Sequence, residues 1–506
     1  MGALARVWSV ALNGVDGIPV EIEVAIGGGM PGVHLVGLPD AALQEAKDRV
    51  RSAVVHSGRN WPNERIVLAL SPATLRKTGS RFDLALACGL LAAAGAIDRE
   101  RLRGTALLGE LALDGRLRPV RGVLPCLLAA RAAGMARAVV PRAVLAEAAL
   151  VDGLEALGAD TLGEVLDWAA GNGLLHAAGA AAVAAGPAVA PPELADVIGQ
   201  ADARHALEIA AAGGHHLLMV GPPGTGKTML AQRIVGLLPE LDRGAALQLA
   251  AIRSVAGRLG DGAPLSTLAP FVAPHHSASA AALLGGGSGV ARPGAVSLAH
   301  RGVLFLDECP HWPATVLDAL RTPLEEGEVR LARADGTVHY PARFQLVLAA
   351  NPCPCAPPID RDCQCRADVR RRYLARLSGP LLDRVDLRVP MYPVTALSVE
   401  DVEPGATTAT VRARVLAARA AATERWSGHG WRCNAEVPGT ELRARFPLPA
   451  DVLRPLEKRL EAGELSARGA DRALRVAWTL ADLAGTGRPD RAAVEAALYF
   501  RDRSAG

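Results

Sequence analysis

Gly221-Pro222-Pro223-Gly224-Thr225-Gly226-Lys227-Thr228 fits the phosphate-loop pattern G-x-x-x-x-G-K-[ST]. The run before it, Leu217-Leu218-Met219-Val220, is short and apolar, as a buried strand should be. The run after it, Met229-Leu230-Ala231-Gln232-Arg233-Ile234-Val235, has helical spacing. Strand, glycine loop and helix in that order make a phosphate site. The glycines let backbone N–H groups turn inward, and the helix N-terminus adds partial positive charge. Lys227 is expected to reach the β- and γ-phosphates of bound ATP, and Thr228 to ligate Mg²⁺.

Composition narrows the setting. A net charge of +3 gives no bulk basic field, so any contact with a polyanion must be local. Aromatics are 3%, which argues against a base-stacking platform. Residues 1–20 alternate polar and apolar and carry Asp16, unlike a signal peptide. The longest strongly apolar run, Leu84 to Ile97, is too short to span a bilayer. Eight cysteines in 506 residues do not form a secreted disulfide scaffold. A cytoplasmic protein without a membrane span is expected.

Two further strands carry polar residues at their ends. Val303-Leu304-Phe305-Leu306-Asp307-Glu308 is four apolar residues and then two carboxylates. Open α/β sheets bind ligands at that end of their strands. Asp307 is expected to hold the Mg²⁺ shell, and Glu308 to orient and deprotonate the attacking water. Phe344-Gln345-Leu346-Val347-Leu348-Ala349-Ala350 is a third apolar strand and ends at Asn351. The distance from Lys227 to Asp307 exceeds what one helix and one strand need, so residues 255–300 are expected as an insertion. It contains Pro274-His275-His276-Ser277. Adjacent histidines diverge on any regular element, so a polar loop role is preferred to a metal site.

On either side the chain reads as further domains. Residues 1–170 are mixed α/β, with strands at Ile18–Val24 and Ile66–Leu70 and a helix from Asp40 to His56. Residues 171–192 carry no charge and are rich in Ala, Gly and Pro, an interdomain linker. Pro187, Pro191 and Pro192 argue against a membrane helix there. From about residue 396 the chain is helical, with Ser466 as an N-cap. Cys353-Pro354-Cys355 and Cys363-Gln364-Cys365 form a C-x-C…C-x-C set. Four thiolates so close suit tetrahedral Zn²⁺, with reduced thiols or disulfides as the alternatives.

Several stretches resemble AAA+ ATPases. Asn351 resembles their sensor 1. The hairpin from Glu328 to Ala342, with Asp335-Gly336 at its turn, resembles the pre-sensor hairpin that projects into the pore of ring motors. That resemblance makes Arg330 and Arg333 candidate phosphate contacts, with solvated surface residues as the alternative. Ser378-Gly379-Pro380-Leu381-Leu382-Asp383-Arg384-Val385-Asp386 looks like an arginine-finger segment, in which Arg384 completes a neighbouring subunit's site. Arg468 is the sensor 2 choice, and Arg472 and Arg475 recur at helical spacing as alternatives. Arg81-Phe82-Asp83-Leu84 and Leu108-Gly109-Glu110-Leu111 resemble the Lon and RadA domain, a ribosomal-protein-S5-like fold. Its Ser and Lys positions fall near Arg81 and Leu124, so the domain is read as non-proteolytic.

Together with Pro274-His275-His276-Ser277, Arg292-Pro293-Gly294, Leu298-Ala299-His300-Arg301-Gly302 and Asn351-Pro352-Cys353-Pro354-Cys355, these stretches resemble magnesium-chelatase-like AAA+ proteins of the ComM/YifB type. The resemblance implies an α/β P-loop core over 193–395, a helical lid over 396–506 and the Lon-like domain in front. It also implies an ATP-driven homo-hexamer that moves single-stranded or branched DNA, promoting branch migration in recombination and natural transformation. The alternative is a chelatase-type motor subunit that remodels a protein or porphyrin–metal partner. No acidic or integrin-like partner domain accompanies it here. A Lon-like protease or unfoldase is a third reading, weakened by the missing dyad.

Overall fold

The phosphate-loop strand Leu217–Val220 sits inside a five-stranded parallel sheet. The computed structural model describes residues 3–37, 40–75, 77, 79–178, 190–259, 265–287, 291–333, 336–357, 362–393 and 405–502. From one edge the strands run Phe271–Val272, Val303–Leu306, Gln345–Ala350, Leu217–Val220 and Leu387–Pro390. A parallel sheet is covered on both faces, which explains why these strands are continuous apolar runs. Alternate residues serve different cores. Val303, Phe305, Val347 and Ala349 pack towards the lid, and Leu304, Leu306, Leu346 and Leu348 towards the insertion.

Phe271–Val272 falls within the stretch expected as an insertion, yet it pairs with Val303 and Leu304 as the sheet's edge. A two-residue strand has too short a pattern to be read from sequence. The elements added around it are the helix Arg243–Ala256 and the small antiparallel pair Gly285–Gly286 and Arg292–Pro293.

The lid is helical. Its helices Thr408–Arg425 and Ala467–Ala484 pack on Ala201–Gly213, the helix before the phosphate-loop strand. Ser466 caps the second of them by accepting from the Gly469 N–H. Trp426 meets Phe446 edge-on at 4.7 Å and Trp478 at 6.0 Å, a geometry that aromatic quadrupoles favour.

The N-terminal domain is an eight-stranded mixed sheet under the helix Asp83–Ala93, every residue of which is buried. Asp40 caps the helix Ala41–His56 by accepting from the Leu43 N–H at 2.8 Å. The Arg81 guanidinium points to the Cys126 sulfur at 3.5 Å, two residues from buried Leu124. Arg81 and Leu124, which stand near the Ser and Lys positions of the Lon-like resemblance, are a cation and an apolar side chain. His176–Ala177, inside the expected linker, adds a last short strand to this sheet. The rest of that linker, from 179 to 189, lies outside the described residues, as do Asp335 of the hairpin turn and the start of the lid at 396–404. Among the described residues, no helix is long and apolar enough to cross a membrane.

The domain docks directly on the ATPase-like core. Ala250 and Ala251 of Arg243–Ala256 pack against Val123, Leu124 and Leu127. Glu147 accepts from the Leu124 N–H and from the Ser254 hydroxyl, joining both sides. The turn at Gly14 reaches the hairpin Glu328–Arg333/Gly336–Pro341, where a Cβ on Gly14 would stand 2.5 Å from the His339 carbonyl oxygen. Gly14 also has φ +68, a backbone region that disfavours side chains. Gly14→Val is expected to lower unfolding free energy by about 1–3 kcal/mol through overpacking. Urea denaturation measures that loss. Limited proteolysis should show faster cleavage between the N-terminal domain and residue 243.

Candidate nucleotide site

The P-loop, the two acids and Asn351 converge at the C-terminal edge of the sheet. Parallel register does this: Val220 lies beside Ala350, and Leu306 beside Leu348. The residues that follow each strand therefore emerge together. Gly226, at φ +88, turns the chain into the helix Lys227–Leu237, whose first N–H groups face the loop. Thr225 closes the loop internally by donating its hydroxyl to the Pro222 carbonyl at 2.9 Å.

Lys227 is buried and its ammonium is fully engaged. It donates to the carbonyls of Gly221 at 2.6 Å and Pro222 at 2.8 Å, and to Asn351 Oδ1 at 3.1 Å. Thr228 Oγ1 donates to Asp307 Oδ2 at 2.7 Å. The other Asp307 oxygen accepts from the Glu308 N–H at 2.9 Å. A hydroxyl and a carboxylate in contact are hard oxygen donors of the kind Mg²⁺ takes beside nucleotide phosphates. The expected P-loop residues, Asp307, Glu308 and Asn351 are thus in one place.

Other expected residues are placed differently. Arg384 is buried, donates to the Pro380 carbonyl at 2.6 Å and pairs with Glu325. Arg330 is paired with Glu326 at 3.0 Å and Glu328 at 2.6 Å. Arg333 is three residues further along the strand, and side chains alternate, so the two arginines face opposite sides of the hairpin. Of the three lid arginines, Arg472 is committed to Asp386 at 2.7 Å, Arg475 is half-buried, and Arg468 is exposed at the helix start. The four cysteine sulfurs lie within 4.8 Å of one another. His275 and His276 belong to no such group among the described residues.

Two contacts were invisible in the sequence. Gln200 bridges the carbonyls of Thr225 and Tyr392, tying the P-loop to the chain after the last strand. His276 and His311 both lie on Glu308. For the second, the pattern Pro274-His275-His276-Ser277 marked one of the two histidines but not its partner.

The opposite end of the P-loop strand is tied to the lid by a buried ionic cluster. Burial alone would raise the Asp386 carboxyl. Arg472, His215 and His216 outweigh it and hold the carboxyl far below the usual range. Burial pushes both imidazoles down to about 4. His216 Nδ1 accepts from the Leu346 N–H at 3.0 Å, and His215 Nε2 meets the Thr479 hydroxyl at 2.7 Å.

The fold and site define a P-loop protein of the AAA+ class. Residues 193–399 match the family described as magnesium chelatase, subunit ChlI. Residues 22–144 match the ChlI subunit of Mg-chelatase, and 405–501 match the C-terminal part of that subunit. The chain is 58% identical to a protein of Mycobacterium tuberculosis over 99% of each. It is 42% identical to YifB of Escherichia coli over 99% of this chain and 97% of that one. It is 42% identical to the competence protein ComM of Haemophilus influenzae over 96% of this chain and 94% of that one. The chain therefore belongs to the magnesium-chelatase-like family of YifB and ComM.

The histidine cluster makes the lid junction sensitive to acid. Below the ordinary histidine value of about 6.5, the unfolded chain binds protons that folded His215 and His216 refuse until about 4. Their contribution is complete above that ordinary value and is lost as pH falls towards 4. Asp83 and Glu147, raised by burial, act in the opposite sense in the N-terminal domain, so the readout must be local. Amide exchange in Ala467–Ala484, corrected for intrinsic rate, should quicken between pH 7 and 5. His216→Asn, whose amide oxygen replaces Nδ1 as acceptor, should flatten that dependence.

Proposed function

We propose that the protein is an ATP-driven ring motor on DNA, a six-membered helicase that promotes branch migration in homologous recombination and natural transformation. The observation that carries the hydrolytic part is the convergence of Lys227, Thr228, Asp307, Glu308 and Asn351 on one sheet edge. Bound Mg²⁺, held by Thr228 and Asp307, would supply charge neutralisation on the phosphates. Lys227 would exchange its loop carbonyls for phosphate oxygens. Glu308 takes the proton of the attacking water, and Asn351 orients that water or the γ-phosphate. Arg468, exposed at the lid helix start, is the sensor from the lid. Arg384 serves a neighbouring subunit once Glu325 lets it go.

The DNA part rests on the likeness to a competence protein and on the hairpin that leads into the strand ending at Asn351. Its Arg330 ion pairs are exposed, and exposed pairs are worth about 0–1 kcal/mol, so a phosphate can replace them. The family description favours a second reading, a chelatase-type subunit that remodels a protein or porphyrin–metal partner. A cytoplasmic setting fits both.

One assay separates the readings. ATP hydrolysis should rise with single-stranded or branched DNA, and a three-strand junction should be moved. Glu308→Gln should bind ATP yet turn it over about 10² to 10⁴ times more slowly. Binding contacts with phosphates release counterions, so DNA affinity should fall steeply with salt. Absence of any DNA effect on a hydrolysing enzyme favours the chelatase-type reading.

We also propose that Cys353, Cys355, Cys363 and Cys365 hold a structural Zn²⁺. The sulfurs of Cys353, Cys355 and Cys363 stand 3.3, 3.7 and 3.4 Å apart as a triangle, and that of Cys365 lies within 4.8 Å of each. Zn–S bonds of about 2.3 Å place tetrahedral sulfurs about 3.8 Å apart, so small adjustments complete the shell. Metal analysis of protein purified under reducing conditions without chelator should find about one Zn²⁺ per chain. Cys355→Ser with Cys363→Ser should abolish it.

A further inference from the structure

Glu308 is touched by two histidines from separate parts of the chain. His276 Nδ1 lies 3.4 Å from its Oε2, and His311 Nδ1 lies 3.3 Å from the same oxygen. Their rings meet edge-on at 6.1 Å. His276 follows the edge strand Phe271–Val272, and His311 closes the short turn Cys309–His311 after the acids. The His311 contact is a hydrogen bond in which the imidazole donates to an ionised carboxylate, which only accepts, and the His276 contact is an ion-pair approach to the same oxygen.

The backbone shows why Glu308 needs such support. Its φ is +48, a left-handed conformation that costs a non-glycine residue about 1–2 kcal/mol. Strain of this kind persists where surrounding contacts over-determine it. Here the Glu308 N–H is held by Asp307 Oδ1, the Asp307 carbonyl accepts from Trp312 Nε1 at 3.2 Å, and Cys309 is buried. Those contacts set the backbone. Among the described residues, the two imidazoles reach the carboxylate, and both take Oε2, leaving Oε1 clear of either contact.

Each imidazole is itself held. The His276 ring lies 4.1 Å from that of His275, which is pinned by the Ser277 N–H and hydroxyl at 3.3 and 2.7 Å. His311 meets Tyr373 edge-on at 5.6 Å. Tyr373 lies on the helix Ala367–Leu374, between the cysteine cluster and the Arg384 segment. Arg376, just beyond that helix, donates to the Pro310 carbonyl at 3.3 Å.

We propose that His276 and His311 are positioning residues for Glu308. Together they hold Oε2 and present Oε1 to the attacking water, whose proton it takes. This rests on the hydrolytic reading above. It also makes the insertion and the helix after the cysteines joint determinants of the carboxylate's aim.

The test is steady-state ATP hydrolysis by the full chain, alongside binding of a fluorescent ATP analogue. His276→Ala and His311→Ala should each lower kcat about three- to tenfold, and the pair by about 10²-fold, within the range of a misaligned general base. KM and analogue affinity should stay within about twofold, because uniform binding is untouched. His→Asn at either position returns an N–H donor near Nδ1 and should recover most of the loss. Added to Glu308→Gln, the alanine changes should cost nothing more, since no carboxylate remains to aim. Wild-type kcat in the double alanine variant, with Glu308→Gln slow, overturns the positioning role alone. Parallel loss of analogue affinity also overturns it, in favour of a general structural role. Wild-type turnover by Glu308→Gln overturns the general-base reading itself.

Discussion

The hydrogen bond from Thr228 to Asp307 and that from Lys227 to Asn351 hold three strand ends to one another. They exist because neighbouring parallel strands end in step, with Val220 beside Ala350 and Leu306 beside Leu348. A slip of one residue would turn every apolar side chain to the wrong core and separate the loop from its acids. The two hydrophobic clusters that share these strands therefore fix the chemistry as well as the stability. The Lys227 ammonium, buried among carbonyls, is the most exacting member. Burial lowers its pKa, and only oxygen partners or phosphates make that position tolerable for a cation.

Around this edge the other parts of the chain act as supports rather than appendages. The lid is anchored at the far end of the P-loop strand by Asp386, Arg472 and two uncharged histidines. The N-terminal domain leans on Arg243–Ala256 and touches the hairpin at Gly14. The insertion and the helix Ala367–Leu374 approach Glu308 from two sides through His276 and His311. A movement of the hairpin, or of the Arg384 segment, thus has physical contacts through which to reach the Glu308 carboxylate. Such contacts transmit a change only if the elements they join have two discrete arrangements.

The cysteine cluster sits between two of these parts. Cys353 follows Asn351 by two residues, and Cys365 precedes Ala367–Leu374 by two. Closing four sulfurs on one ion would shorten and stiffen the path from the strand Gln345–Ala350 to the Arg384 segment. A loop of this length without such a tie loses more conformational entropy on ordering.

The amino-acid sequence determined the P-loop, the paired acids, Asn351, the mixed α/β N-terminal domain and the helical lid. These are local signals: glycines at set offsets, short apolar runs and helical spacing, readable without knowing any partner. It also carried the resemblance to the family to which the chain belongs. The tertiary structure alone decided matters that depend on chain segments far apart. It placed Phe271–Val272 in the sheet, because a two-residue edge strand exists only through its neighbour. It turned Arg330 and Arg333 to opposite faces and folded Arg384 onto Glu325. It settled which lid arginine stays exposed, because Asp386 claims Arg472 across 86 residues of chain. Above all it brought His276 and His311 onto one oxygen of Glu308. No spacing announces a contact between an insertion and a turn, since packing sets it and not periodicity.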